Sequence, residues 1–309
     1  SCATGVTRGS RNHDRRDVCC VSMPASSAAP REGRSRIAGT DAGTVVSSGP
    51  MQFTDFGGQG PSLHFAHANA YPPGSYRRML EILAGSHRIK CIHWLPLVQP
   101  DHHPHFRNWH ELIPDLVKFI ESELDPPVLA AGHSMGATLT MMTAVRRPDL
   151  FRALALIDPV LLPLRYILPL RIAPRRWARR VPIIRKALGR PDRWQTQQQA
   201  FEFHRRARAF ARLDDESLWD YIRAGTRKSG DGGWTLSFPK DWEARIYATC
   251  PWVWPELRRC RTPMLGIRGC RSDVISDAAW ARWQRLQPAA SFIEFRDAGH
   301  LVPLQLPAD

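Results

Sequence analysis

Val128-Leu129-Ala130-Ala131-Gly132-His133-Ser134-Met135-Gly136-Ala137-Thr138-Leu139 is the stretch on which the reading of this 309-residue chain turns. Val128–Ala131 is a short apolar run that reads as a buried strand, and Met135–Val145 reads as a helix. Between them stands a Gly-x-Ser-x-Gly pentapeptide. Such a pattern is weak alone and gains weight from a strand before it and a helix after it. A serine on a tight strand-to-helix turn has its hydroxyl lifted above the end of a sheet. Backbone angles there are strained and neighbouring chain comes close, so the flanking positions must be small, as Gly132 and Gly136 are. The helix N-terminus beneath favours negative charge. Ser134 is therefore a candidate nucleophile rather than a simple helix cap. His133 is expected to pack or to face the mouth of the site, since neighbours on such a turn point apart.

Working outward, Gln52–Phe56, Ser62–Ala66, Ile89–Trp94 and Ala153–Ile157 read as strands, and Tyr76–Leu83 and Trp109–Leu124 carry helical spacing. Strand–helix–strand rhythm returns at Met264–Ile267, Asp277–Leu286 and Ser291–Phe295. Alternation of this kind predicts a mostly parallel sheet with helices on its faces. The rhythm stops over 159–256, a helical, Arg- and Trp-rich block expected to form a lid (cap) on a core made of 51–158 and 257–309. Residues 1–50 are rich in Ser, Gly, Arg and Ala without apolar periodicity, and a disordered extension is expected there.

A serine hydroxyl needs an adjacent base. His300 follows the last expected strand, in Asp297-Ala298-Gly299-His300-Leu301-Val302-Pro303, and is the candidate. The base in turn needs an acid to orient it. Asp273 follows the strand Met264–Ile267 and gives the chain order Ser…Asp…His, so it is the acid expected. Asp158, at the end of Ala153–Ile157, and Asp297 are its rivals. Two backbone N–H groups must meet the developing oxyanion. Met135 supplies one, and the loop His67-Ala68-Asn69-Ala70-Tyr71-Pro72-Pro73-Gly74 the other. Asn69 is the expected donor, with Ala68 and Ala70 as alternatives.

These blocks resemble the α/β-hydrolase superfamily, in its branch of lid-bearing serine esterases. The resemblance runs from about Met51 to the end of the chain. It implies an α/β-hydrolase fold and a cofactor-free hydrolase that works through an acyl-enzyme on a small-molecule ester or acyl substrate. A C–C bond (diketone) hydrolase with the same triad, and a catalytically idle binding protein, are the alternatives. The pair His67-Ala68 departs from the usual His-Gly. Relatives with His-Gly-Asn there use Asp as nucleophile, and Ser134 argues against their dehalogenase chemistry. Members usually continue past the histidine loop with a helix packed on the sheet. Nine residues follow His300, so that C-terminal helix is expected to be missing.

The formal charge of +14 is the unusual bulk property, in a chain otherwise ordinary at 43% hydrophobic and 23% charged residues. Such a surplus fits an anionic surface, an acidic substrate or merely a solvated face. It concentrates between Arg165 and Arg212, where fourteen Lys and Arg face only Asp192 and Glu202. Arg175, Arg176, Arg179 and Arg180 alternate with apolar residues in Ile172–Ile184, which reads as one amphipathic basic helix. A peripheral contact with an anionic surface or an acidic carrier is one expectation. Trp177, Trp194, Trp219 and Trp234 are expected to form lid core, and no nucleic-acid motif accompanies them, so no nucleic-acid partner is expected. His102, His103 and His105 lack a metal-ligand pattern, and no metal site is expected. The seven cysteines include no CxxC pair. Reduced thiols, the lack of a membrane-spanning run and the lack of a signal-like apolar stretch lead to an expected cytoplasmic location.

Overall fold

The computed structural model describes residues 35–40, 43–48, 51–101, 106–172 and 175–309. Twelve strands lie in them: β1 Ser35–Thr40, β2 Gly43–Ser48, β3 Met51–Gly57, β4 Ser62–Ala66, β5 Arg88–Ile92, β6 Val128–His133, β7 Phe151–Ile157, β8 Arg193–Trp194, β9 Thr226–Lys228, β10 Trp234–Leu236, β11 Met264–Gly269 and β12 Ser291–Phe295. The helices are α1 Arg77–Ala84, α2 Leu95–Val98, α3 Ile113–Glu123, α4 Met135–Arg146, α5 Leu164–Ile172, α6 Arg175–Ala178, α7 Pro182–Gly189, α8 Gln197–Arg205, α9 Asp215–Gly225, α10 Lys240–Ala248, α11 Trp254–Arg259, α12 Asp277–Leu286 and α13 Val302–Gln305.

Nine strands form one sheet in the order β1-β2-β3-β5-β4-β6-β7-β11-β12. The six strands from β5 to β12 run parallel, and β1 to β3 form an antiparallel meander at one edge. Side chains alternate across this sheet as the period of two requires. In β4, Leu63 and Phe65 join one apolar core and Ala66 the other; in β7, Leu154 and Leu156 join the second core and Ile157 the first. Leu116, Phe119 and Ile120 of α3, with Trp280 and Trp283 of α12, cover one face; Leu80 of α1 and Leu304 of α13 cover the opposite one. Helix α4 is buried along ten of its residues, so it reads as apolar nearly all round rather than striped.

The chain reverses its direction of travel across the sheet between β4 and β6. Loops at the carboxyl ends of those two strands diverge there, and open α/β sheets place their sites in that crevice. Both the His67 loop and Ser134 lie at those ends.

Three features differ from the sequence reading. Strands β1 and β2 fall inside the stretch expected to be disordered, so the sheet starts before Met51; residues 1–34 lie outside the described ones. The inserted block 159–256 is not wholly helical, because β8, β10 and β9 form a small antiparallel sheet. The expected single basic helix is broken into α5, α6 and α7, with Val181 extended and Pro182 opening the last of them. The insertion is joined to the core by charge as well as packing. Arg77 at the start of α1 meets Asp220 of α9 at 2.9 Å and Glu216 at 2.8 Å, and Arg78 meets Asp214 at 2.5 Å. After His300 the chain forms the short helix α13. Among the described residues no helix is long and apolar enough to cross a membrane.

Candidate active site

Ser134 sits between β6 and α4 with φ +54° and ψ −118°, a backbone conformation that L residues rarely adopt. The strain is held by close packing. A Cβ on Gly132 would lie 2.7 Å from the Ala137 amide nitrogen, and one on Gly136 would lie 2.1 Å from the Ala66 carbonyl oxygen. Only glycine lets the first turn of α4 rest directly on the end of β4. The amide of Ser134 donates to the carbonyl of Ile157 at 2.9 Å, which ties the turn to the end of β7.

The hydroxyl of Ser134 lies 3.0 Å from His300 Nε2, and His300 Nδ1 lies 2.7 Å from Asp158 Oδ1. A hydroxyl, an imidazole and a carboxylate in that order can pass a proton away from the hydroxyl and stabilise the imidazolium that results. Asp158 is fully buried, and its φ of +44° carries the backbone out of β7 into the site. Its carboxylate also accepts from the Ser272 hydroxyl at 2.6 Å and the Gly269 amide at 3.2 Å.

The structure therefore corrects the acid. Asp273 is exposed and does not reach His300, because Ser272 folds back through its amide onto the Gly269 carbonyl at 3.0 Å. The β11 loop delivers Ser272 to the site instead, one residue before the aspartate that chain order had favoured. Strand β7 is the immediate neighbour of β6, whereas β11 is one strand further out. A short residue at the end of β7 is enough to reach the imidazole. Asp297, the other rival, pairs at the surface with Arg271 at 2.8 Å.

Around the oxyanion position, the first turn of α4 leaves the Met135 amide without a helical acceptor. The Ala68 amide is excluded as the second donor, since it donates to the Tyr76 hydroxyl at 3.1 Å. Asn69 and Ala70 remain, the latter at φ +63°. The Asn69 side chain is held by the insertion, its Nδ2 donating to the Glu243 carbonyl of α10 at 3.2 Å. A carbonyl of the insertion thus orients the loop residue whose backbone was singled out from the sequence.

His133 packs, as expected, but with a function the sequence did not reveal. It is fully buried, with Nδ1 2.9 Å from the Tyr76 hydroxyl and Nε2 2.8 Å from the His300 carbonyl. Burial, with the charge of His300 nearby, pushes its pKa well below the ordinary histidine value. A carbonyl only accepts, so Nε2 carries the proton and Nδ1 accepts from Tyr76. The signal was available only in three dimensions, because Tyr76 and His300 stand far from His133 in the chain.

Other candidates fall elsewhere. His102, His103 and His105 lie outside the described residues. Trp194 is buried and Trp219 stacks on Phe201 at 4.6 Å, whereas Trp177 is 51% exposed rather than part of a core. Arg190 and Glu243 form an ion pair at 2.5 Å within the insertion. Burial raises the Glu243 carboxyl while the arginine opposes it.

Comparison with known proteins agrees with this architecture. Residues 40–309 match the model of the "Alpha/beta hydrolase family". Lipase LipV of Mycobacterium tuberculosis is 24% identical over 268 residues, covering 79% of this chain and 94% of that protein. Among solved structures, an E-2-(acetamidomethylene)succinate hydrolase superposes with a TM-score of 0.66 at 20% identity, covering 89% of this chain and 94% of that one. A novel esterase of Mycobacterium tuberculosis does so at 0.64 and 17% identity, covering 91% and 88%.

Proposed function

Because the chain belongs to the alpha/beta hydrolase family, we propose that it is a serine hydrolase that cleaves a carboxylic ester through an acyl-enzyme. The observation that carries this reading is the unbroken contact chain from Ser134 Oγ through His300 to Asp158. The names of its relatives, a lipase and an esterase, favour an ester over other acyl substrates.

In the proposed cycle Ser134 Oγ attacks the ester carbonyl while its proton passes to His300 Nε2. Asp158 holds His300 Nδ1–H and stabilises the imidazolium. The amides of Met135 and Asn69 bind the oxyanion. Collapse of the tetrahedral adduct breaks the C–O bond, and the alcohol leaves with the proton from His300. Water then gives its proton to His300 and attacks the acyl-enzyme, releasing the acid and restoring the Ser134 hydroxyl. No step draws on a cofactor or metal. The insertion acts as the lid, with Glu243 fixing Asn69 from above.

The test is a series of p-nitrophenyl esters of increasing acyl length beside a ring-cleavage diketone, with Ser134→Ala as control. Ester turnover lost in the variant, and labelling of Ser134 by a fluorophosphonate, are expected. Faster turnover of the diketone would favour C–C hydrolysis. A folded wild-type protein that neither labels nor turns over would favour an idle binding protein.

A further inference from the structure

The first third of the insertion exposes what a folded chain normally hides. Helix α5 is Leu-Arg-Tyr-Ile-Leu-Pro-Leu-Arg-Ile, and Ile167 is its fully buried residue. Leu164, Tyr166, Leu168 and Ile172 stand 43%, 56%, 48% and 75% exposed, and Trp177 and Ile183 follow in the next two helices. Single exposed apolar residues are normal on a surface; a contiguous set marks a contact site. The segment also carries charge of one sign. Between Arg165 and Arg190 there are nine Arg and Lys and no Asp or Glu. Arg165, Arg171, Arg179, Arg180, Arg185 and Lys186 are exposed. Among the described residues none of these six meets a carboxylate at ion-pair distance. Two of them instead lie over aromatic rings, Arg165 over Tyr166 at 4.8 Å and Arg180 over Trp177 at 4.9 Å.

We propose that residues 164–172 and 177–186 dock this protein on an anionic lipid surface. A bilayer interface offers both features the segment needs, acidic headgroups for the cations and an acyl boundary for the apolar side chains. A nucleic acid or an acidic protein domain matches the charge but leaves the leucines and isoleucines without an environment. Amphipathic tyrosine and tryptophan suit the headgroup level. The ring-stacked arginines present apolar and cationic groups together. The docked segment belongs to the same insertion that reaches Asn69 through α10, and docking itself requires no catalytic step.

The experiment is co-sedimentation of the full chain with phosphatidylcholine vesicles, with and without about one third phosphatidylglycerol. Binding to the anionic vesicles alone is expected, weakened by added salt. Replacing one exposed arginine is expected to weaken binding about five-fold. The set Arg165→Gln, Arg171→Gln, Arg179→Gln and Arg180→Gln is expected to weaken it a hundred-fold or more. The apolar set Leu168→Ser, Ile172→Ser and Trp177→Ser keeps every charge and is expected to weaken it at least ten-fold. All these side chains are exposed, so hydrolysis of a water-soluble ester serves as the fold control and should not change. Equal binding to neutral and anionic vesicles by the wild-type chain overturns the proposal. So does an apolar set that binds as wild type, which would reduce the segment to a polyanion site. Binding to DNA or polyglutamate as tight as to the anionic vesicles overturns it as well.

Discussion

The side chain of His133 holds the backbone of His300: its Nε2 donates to the His300 carbonyl at 2.8 Å. The direction of every bond in that chain follows from one end. The carbonyl accepts, so His133 Nδ1 accepts from Tyr76, and the Tyr76 oxygen accepts from the Ala68 amide. The loop expected to supply an oxyanion donor is thereby connected to the loop carrying the base through two buried side chains.

Tyr76→Phe removes the hydroxyl and leaves the Ala68 amide and His133 Nδ1 buried without partners. Stability is expected to fall by about 1–3 kcal/mol. The ester kcat should fall about ten-fold, with KM little changed, since geometry rather than binding is disturbed. Denaturant midpoints and steady-state kinetics measure both. A kcat equal to wild type would show that the two loops keep their positions without this tie.

The two aspartates separate cleanly. Asp158→Asn keeps size but presents an amide to His300 Nδ1, and the wrong tautomer in such triads lowers kcat by about 10⁴. Asp273→Asn, at an exposed position, is expected to stay within about two-fold of wild type. The reverse ranking in an ester assay would restore Asp273 as the acid.

Glu243 and Arg190 pair where their side chains are 7% and 17% exposed. Glu243→Ala leaves a largely buried guanidinium without its carboxylate and is expected to cost about 3–5 kcal/mol. Arg190→Met combined with Glu243→Leu removes both charges and should recover most of that loss. A double variant as unstable as the single one, in urea melts, would contradict this.

Acid should unfold the protein through its buried histidines. Burial lowers His64 and His67 from 6.5 to about 3, and His204 from 6.5 to about 4. Below pH 6.5 the unfolded chain takes up protons that the folded chain refuses. Stability is therefore complete above 6.5 and declines as pH falls toward the folded values, by about 1.4 kcal/mol per unit for each histidine. At pH 5 the three together amount to roughly 6 kcal/mol, comparable with the whole stability of many domains. Urea midpoints at pH 8, 7, 6 and 5 should fall steeply over the last two; a flat series would refute the argument.

The pairing of Ser134 with His300 was legible because each depends on its own local pattern: a strand, a tight turn and a helix, or the loop after a last strand. The acid was not. Asp158 and Asp273 both follow strands, and only the order of strands in the sheet says which strand lies beside β6. Chain order carries no such information, and the shorter route won. Strands β1 and β2 are hard to read because Ser-Arg-Ile-Ala-Gly-Thr and Gly-Thr-Val-Val-Ser-Ser lack a sustained alternation. Strand β2 pairs onto β3 and β1 onto β2. Strands β8 to β10 are two or three residues long, below what periodicity detects. From the sequence Trp177 is expected in a core within one amphipathic helix, whereas the segment is broken into α6 and α7 and Trp177 is exposed.

The insertion is rooted unevenly. Its α9 end is clamped by Arg77 and Arg78 and shares Leu218, Tyr221 and Ile222 with a main core, whereas its α7 end rests on a small cluster of Ile184, Ala187 and Ala244. Few buried contacts mean a low free energy of local opening. Any swing of this block is then expected to pivot about α9, with α5 to α7 as the free edge. Trypsin at low dose should report it by cutting between Arg165 and Lys186 while Arg205 and Arg223 stay intact. The part of the insertion that meets the outside world would be the part that can move without unseating the rest.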